Sequence, residues 1–368
     1  MRAVVVWTAM ALDRVEEIDH AALDGLVDLD RLDEWMAGQD LPGAGPVTGA
    51  VRLQGGSQNN IYLLQRGDTQ MVLRRPPQHL RKNSNETMLR EARVLAALGG
   101  TPVPHPEFFA ACDDLDVMGV CFYLMAPIDG FTPPGSPAYA DDPAWPRTLA
   151  AEMARGAAAL ARVDHRAVGL ADFGRPDNWL ERQVGRWRSQ LDGYAELDGY
   201  SGSELPHVDL VGAWLDEHRP ADCHIGICHG DYQFANVMFA TAEPALAAIV
   251  DWELSSLGDP KLDVAWMLTA WQEAGDPPGH GDGGPFWDAM PTRREVIELY
   301  GELTGRPIDD MPWFFVLACY KLGILLEGSY ARALAGQASM EMGATLHRYA
   351  TWLFEKGAQT IRSGEALV

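Results

Sequence analysis

The stretch "ICHGDYQFANVMF", residues 227–239, sets Asp231 five positions ahead of Asn236, and Asp251 follows the apolar run "ALAAIV". A carboxylate, an amide and a second carboxylate are the oxygen groups that phosphoryl transfer asks of a protein. One orients an attacking hydroxyl and the others hold magnesium. An Asp five residues before an Asn is the spacing of a phosphoryl-transfer catalytic loop, the Asp facing the acceptor hydroxyl and the Asn the metal. Asp251, fifteen residues beyond Asn236, ends an apolar run where a strand would deliver its carboxylate to the same place. Taken singly, each residue has a plainer reading: an Asp in a loop is commonly a turn or cap residue, and His229 a hydrogen-bonded structural histidine. Their order, on elements able to bring them together, is what points to chemistry.

Those elements are legible in outline. "VEEIDHAALDGLVDLDRLDEWMAGQ" has apolar residues at helical spacing, and "LPGAGP" reads as a loop. "VRLQGGSQNNIYLLQRGDTQMVLRR" predicts three short strands, broken by a glycine-polar turn from Gly55 to Asn60 and a tighter turn at Gly67-Asp68. The spacing predicts a helix over 86–98, and strands return through "GVCFYLMAPIDG". Residues 1–126 therefore read as an N-terminal helix plus a strand-rich lobe, with strands at about 47–75 and 102–126. Beyond "TPPGSP" the pattern turns helical, interrupted by one small strand pair around residues 227–251 and by the loop "EAGDPPGHGDGGP". Residues 127–368 read as a mainly helical lobe that carries the loop 229–236 and Asp251, which makes the expected class α+β.

Composition bounds the rest. A chain of 368 residues with 47% hydrophobic content can bury a large core in one big domain or two lobes. No stretch approaches roughly twenty consecutive apolar residues, and "MRAVVVWTAM" lacks a secretory cleavage pattern, so the expectation is a soluble, cytoplasmic protein. The five cysteines are scattered through apolar surroundings, as reduced core thiols are. A net charge of −23 argues against nucleic acid and anionic membrane as partners, and it would attract a cationic substrate or simply maintain solubility. Cys223, His224, Cys228 and His229 lack the paired C-x₂-C spacing of a zinc site. A nucleophilic hydrolase would need a G-x-S-x-G elbow, and Ser57 has no evident base partner.

"CHGDYQFANVMF" together with "IVDWELSSLGDPKLDVAW" resembles the paired motifs of the aminoglycoside phosphotransferase and choline kinase family. The likeness runs from "GGSQNNIYLL" through "MVLRRPP", "LREARVLAAL" and "FYLMAPIDG" to "KLGILLEGSYAR". It is nearest to the bacterial phosphotransferases related to the kinase-like domain that accompanies acyl-CoA dehydrogenases. The resemblance implies a two-lobed, protein-kinase-like fold that uses ATP and Mg2+ to phosphorylate a small-molecule hydroxyl. It implies Asp231 as catalytic base with His229 bracing the loop, and Asn236 and Asp251 as magnesium ligands. Gly55, Gly56, Ser57 and Asn59 would cover the phosphates. Arg74, paired with Glu91, would stand where kinases carry a lysine, and the backbone of Ala126 and Ile128 would read adenine beside Met125. Asp259 and Pro260 have a local reading as N-cap and first residue of a helix, and Asp263 resembles the carboxylate that pins the catalytic loop.

Arginine in place of lysine is a departure, since it forks to two oxygens where lysine is a compact charge. It keeps a non-catalytic nucleotide-binding scaffold open as the alternative to an active enzyme, and surface charges remain the plain reading of Arg74 and Glu91. The acceptor is also open. The branch favours a hydroxyacyl-CoA, the net charge favours a cationic amino alcohol or aminoglycoside, and the branch concerns the pocket more directly. Trp271, Trp287, Trp313 and Tyr330 lie in the half that would build that pocket.

Overall fold

The computed structural model describes residues 15, 17–23, 25–53, 59–133, 142–271, 273, 276–277 and 285–363. Two short helices, α1 (His20–Leu23) and α2 (Leu29–Ala37), precede strands β1 (Val47–Arg52), β2 (Asn60–Arg66) and β3 (Thr69–Arg75). Helix α3 (Ser84–Leu98) then leads to β4 (Phe108–Cys112), α4 (Leu115–Met118) and β5 (Phe122–Met125). The five strands pair antiparallel in the order β1-β2-β3-β5-β4.

Local rules account for the pieces. Asp28 caps α2 by accepting the Arg31 N–H at 3.1 Å, and Leu32 and Met36, one turn apart, are its buried face. The β2–β3 hairpin turns over Gly67-Asp68 with Arg66 opposite Thr69, and Gly67 supplies the φ of +59° that a two-residue turn of this hand needs. Strand alternation splits the core: Leu64, Met71 and Leu73 join α2 on one face of the sheet, while Ile61, Leu63 and Val72 face α3 and the helical part on the other. Helix α3 starts at Ser84, two residues ahead of the expected 86, and its buried stripe of Met88, Ala92 and Leu95 includes the acid Glu91.

The second part opens with β6 (Gly130–Phe131), α5 (Trp145–Ala161), α6 (Trp179–Gly193) and α7 (Val208–Glu217). Then come β7 (Gly226–Cys228), β8 (Val237–Ala240), β9 (Leu246–Ile249), β10 (Ser256–Gly258) and α8 (Lys261–Leu268). Helices α9 (Pro285–Asp288), α10 (Arg293–Thr304), α11 (Met311–Leu334) and α12 (Met340–Ser363) complete it. β7 pairs with β10, and β8 lies between β6 and β9. A small antiparallel sheet followed by a mainly helical region is the α+β, kinase-like architecture. Helix α11 is long and apolar enough to cross a membrane, with a mean hydropathy of 1.3. Yet 72% of that apolar window is buried within the fold, where α12, α8, α6 and α7 pack around it, so its hydrophobicity is that of a core helix. All five cysteines are free, and only Cys223 is incompletely buried.

Candidate active site

A hairpin sets the site. In the β8–β9 register Val237 faces Ile249, and one step further the Val250 N–H donates to the Asn236 carbonyl at 2.9 Å. Asn236 and Asp251 therefore leave the hairpin at the same end. β7 brings His229-Gly230-Asp231 beside them. His229 Nε2 donates to the Val250 carbonyl at 2.9 Å, and its Nδ1 accepts the Asp231 N–H at 3.3 Å. The ring is fully buried, with Trp252 edge-on at 4.7 Å between centroids. With both nitrogens committed to main chain, His229 braces the loop and has no nitrogen left for moving a proton. Gly230 has a φ of +86°, and a Cβ there would strike the Leu254 carbonyl, so the bend needs glycine.

Asp231 is held at both oxygens. Oδ1 accepts from Gln233 Nε2 at 2.8 Å and from the Trp266 indole at 3.0 Å. Oδ2 accepts from Asn236 Nδ2 at 2.9 Å, and the same nitrogen reaches the Asp231 carbonyl at 2.8 Å. This commits the donor end of Asn236 to Asp231 and turns Oδ1, the atom able to ligate a metal, away from that pair. From the first turn of α8, Asp263 takes the His229 N–H at 2.7 Å with one oxygen and the Gly230 N–H at 2.9 Å with the other. Burial raises the pKa of Asp263, while His229 and these amides pull it back.

Asp259 makes the bond expected of an N-cap: one oxygen accepts the Lys261 N–H at 3.1 Å, and Pro260, already helical at φ −60° and ψ −14°, stands between them just ahead of the assigned start of α8 at Lys261. Its other oxygen accepts the His224 N–H at 3.0 Å, tying α8 to the entry of β7.

Residues of the sheet reach the same point. Arg74, on β3, donates from Nε to Glu91 Oε2 at 3.1 Å and from Nη2 to Asp251 Oδ1 at 2.5 Å. The other Glu91 oxygen accepts the Trp252 N–H at 3.1 Å. Arg74 and Glu91 are both buried, so they are not the surface charges of the plain reading. Burial pulls the Arg74 pKa down, but Glu91, Tyr123 and Asp251 outweigh it and hold the guanidinium above its ordinary value. Burial pushes Glu91 up to about 7 against the pull of Arg74. Asp251 itself has a left-handed backbone, φ +68°, as a non-glycine residue at a constrained site.

Met125 closes β5 and is buried. The Ala126 N–H donates to the Glu107 carbonyl at 2.8 Å, so of its backbone groups only the carbonyl remains to meet a base. Ile128 lies half-buried in the connector beyond Pro127, and Asn59 is half-buried at the entry to β2. Gly55, Gly56 and Ser57 lie outside the described residues.

Gln233, Trp266 and Lys321 belong to this site without having been singled out from sequence. Lys321, on α11, donates to the Gly230 carbonyl at 3.2 Å and lies 4.5 Å over the Trp266 ring. Burial lowers its pKa, with Asp263, Cys228 and Asp231 opposing. The available signals were a lysine inside the apolar run "FFVLACYKLGILL" and a tryptophan one turn after Asp263 on the same helix face. Of the aromatics, Phe234, three residues after Asp231 in the loop, stacks on Trp271 at 5.3 Å and meets Trp287 at 5.8 Å. Trp313 instead anchors α11 by donating to the Leu215 carbonyl at 2.9 Å, and Tyr330 packs on His347 at 4.5 Å. Both serve helix packing.

Among the described residues no group of three or more His, Cys, Asp or Glu side chains could hold a metal ion. Asn236 and Asp251 offer a sparse set of hard oxygens, which suits magnesium, an ion that keeps waters and substrate phosphates as its other ligands.

Residues 49–296 match the phosphotransferase enzyme family. The mouse protein named acyl-CoA dehydrogenase family member 10 is 30% identical over 290 residues, 77% of this chain and 26% of that protein. The chain spans well under half the length of the curated relatives it matches. A solved structure from Ralstonia eutropha JMP134, named for the aminoglycoside phosphotransferases, is 30% identical with a TM-score of 0.77, covering 91% of this chain and 98% of that one. An aminoglycoside phosphotransferase solved as a ternary complex with AMP-PNP and hygromycin B shares the fold at 14% identity and a TM-score of 0.56, over 89% and 98% of the two chains. With the family match covering more than half of the chain and enclosing residues 229–263, the chain belongs to the phosphotransferase enzyme family.

Proposed function

We propose that this chain is a magnesium-dependent kinase that transfers the γ-phosphoryl group of ATP to a hydroxyl of a small molecule. The observation that carries the reading is Asp231, hydrogen-bonded at both oxygens and joined through Asn236 to the hairpin end that presents Asp251. Asp231 orients the acceptor hydroxyl and takes its proton as the acceptor oxygen bonds to the γ-phosphorus, while the bond to the β–γ bridging oxygen breaks and ADP leaves. Asn236 and Asp251 would hold magnesium, which when bound neutralises charge on the β- and γ-phosphates. Arg74 donates to the phosphates from its post on Glu91, and the Ala126 carbonyl and Ile128 backbone read adenine beside Met125. The half-buried Phe234 and Trp287 offer an acceptor an apolar wall. That favours a hydroxyacyl group, also the chemistry suggested by relatives named for acyl-CoA dehydrogenases, over a polycationic aminoglycoside.

The test is ATP consumption across a panel of alcohols that includes hydroxyacyl-CoAs, choline-like amino alcohols and aminoglycosides. With the accepted substrate, Asp231→Asn is expected to lower turnover by at least roughly a hundredfold while Mg-ATP binding by calorimetry persists. Unchanged turnover removes Asp231 from the role of base. A second reading, a nucleotide-binding scaffold without transfer, draws on the Arg74 bond to Asp251, which engages one oxygen of a metal ligand. Mg-ATP binding with no acceptor turned over would favour that scaffold, and no Mg-ATP binding at all would sink both.

A further inference from the structure

A cavity of about 730 Å³ opens between the C-terminal end of α5, the residues entering β7 and the C-terminal end of α10. The chain carries a net charge of −23, yet the ionisable lining here is Arg162, Arg166, Arg306, His165 and His224 against Asp164. That acid offsets one of the three guanidinium charges: its carboxylate accepts the Arg166 backbone N–H at 2.9 Å, and the amides of its own turn, with the nearby His165 and Arg166, hold its pKa down. Arg162 and Arg166 both line this cavity and are exposed, and Asp164 is the carboxylate whose charge acts on Arg166. Arg306 is ion-paired with the buried Asp259 at 3.6 Å, too long for a hydrogen bond, so its Nη1 lies buried beside that carboxylate without a hydrogen-bond partner. The Asp259 oxygens are already engaged by the His224 and Lys261 amides. His224 registers the resulting field: burial first, then the charge of Arg306, push its imidazole pKa down, against a weaker pull from Asp259.

We propose that this cavity binds a phosphate-bearing small metabolite. Arginines share a lining with two histidines here, a guanidinium can fork onto two phosphate oxygens, and the volume suits a small-molecule ligand, well above a bare phosphate. The site is separate from the catalytic loop. It opens at the start of the three-residue β7 while Asp231 follows its end, so the length of the strand, roughly 10 Å, lies between them. It does not depend on the kinase reading.

Inorganic pyrophosphate is the probe, titrated calorimetrically into the full chain with and without saturating Mg-AMP-PNP. Binding is expected in both conditions, unchanged in Asp231→Asn and weakened at least about tenfold in Arg162→Glu/Arg166→Glu, whose exposed side chains leave the fold alone. Pyrophosphate should also raise the His224 imidazole pKa followed by NMR. No binding at millimolar pyrophosphate, binding untouched by the double variant, or binding abolished by Mg-AMP-PNP would each overturn the proposal. Tighter binding of citrate than of pyrophosphate would overturn the phosphate class.

Discussion

The Trp266 indole donates to Asp231 Oδ1, and Lys321 lies over the same ring. Replacing it by phenylalanine keeps an aromatic ring against the lysine and in the core, and deletes only the N–H that reaches Asp231 Oδ1. A hydrogen bond to a charged group contributes about 1.5–3 kcal/mol. If that bond positions the base, Trp266→Phe should lower kcat by roughly tenfold or more, leave the KM for ATP unchanged, and lower urea stability by about 1.5–3 kcal/mol. A loss confined to stability, with kcat intact, would make the tryptophan a packing residue only. At this scale the sequence is readable where residues are neighbours in the chain. Asp231 and Asn236 share one loop, so their spacing is their geometry. Lys321 is 91 positions from Gly230 and reaches it only because α11 packs under α8, a tertiary fact with no local signature.

Helix α8 acts as a bracket. Asp259 at its mouth, Asp263 in its first turn and Trp266 one turn on fasten in order the entry of β7, the His229-Gly230 backbone and the Asp231 side chain. Asp263→Ala would leave the His229 and Gly230 amides buried without acceptors, each costing about 1–3 kcal/mol. The expected outcome is a loss of roughly 3 kcal/mol or more in denaturant unfolding together with loss of activity. Asp263→Asn keeps one oxygen acceptor and should fall between that variant and the natural protein. A change below about 1 kcal/mol in the alanine variant would mean the loop is held by something else. Helical periodicity and the Asp259-Pro260 pair announced the start of α8, but not that Asp259 would also hold the His224 N–H, 35 residues earlier and ahead of β7.

Over the molecule as a whole, the last helix is fastened by a charge that stability measurements can address. Lys356, 1% exposed on α12, donates to the carbonyls of Thr269 and Trp271 and lies 3.2 Å from Asp276, which also holds Arg293. Burial, then Arg293, lower its pKa to about 8 from an ordinary 10.5. Between those values the unfolded chain keeps a proton that the folded chain has released, so stability contributed by this group rises with pH across that window. Urea unfolding between pH 7.5 and 10 should therefore show the natural protein gaining on Lys356→Met as pH rises, and a constant gap would contradict the shift. The division into a sheet-bearing part and a helical part was plain from the change in periodicity. The chain Arg74–Glu91–Trp252 that links them was only half visible, because Asp251 and Trp252 come to it through the folding of the hairpin. That hairpin has a consequence for reading length variation. Asn236 and Asp251 come to the same end of the hairpin because of strand phase, while the exposed residues from Thr241 to Pro244 form its tip, where Thr241 donates to Asp129 at 2.8 Å. The count between the two metal-ligating candidates is thus free to drift by insertion, whereas their phase is not. Two residues added after Ala242 should leave catalysis intact, and one residue added between Ile249 and Val250 should abolish it.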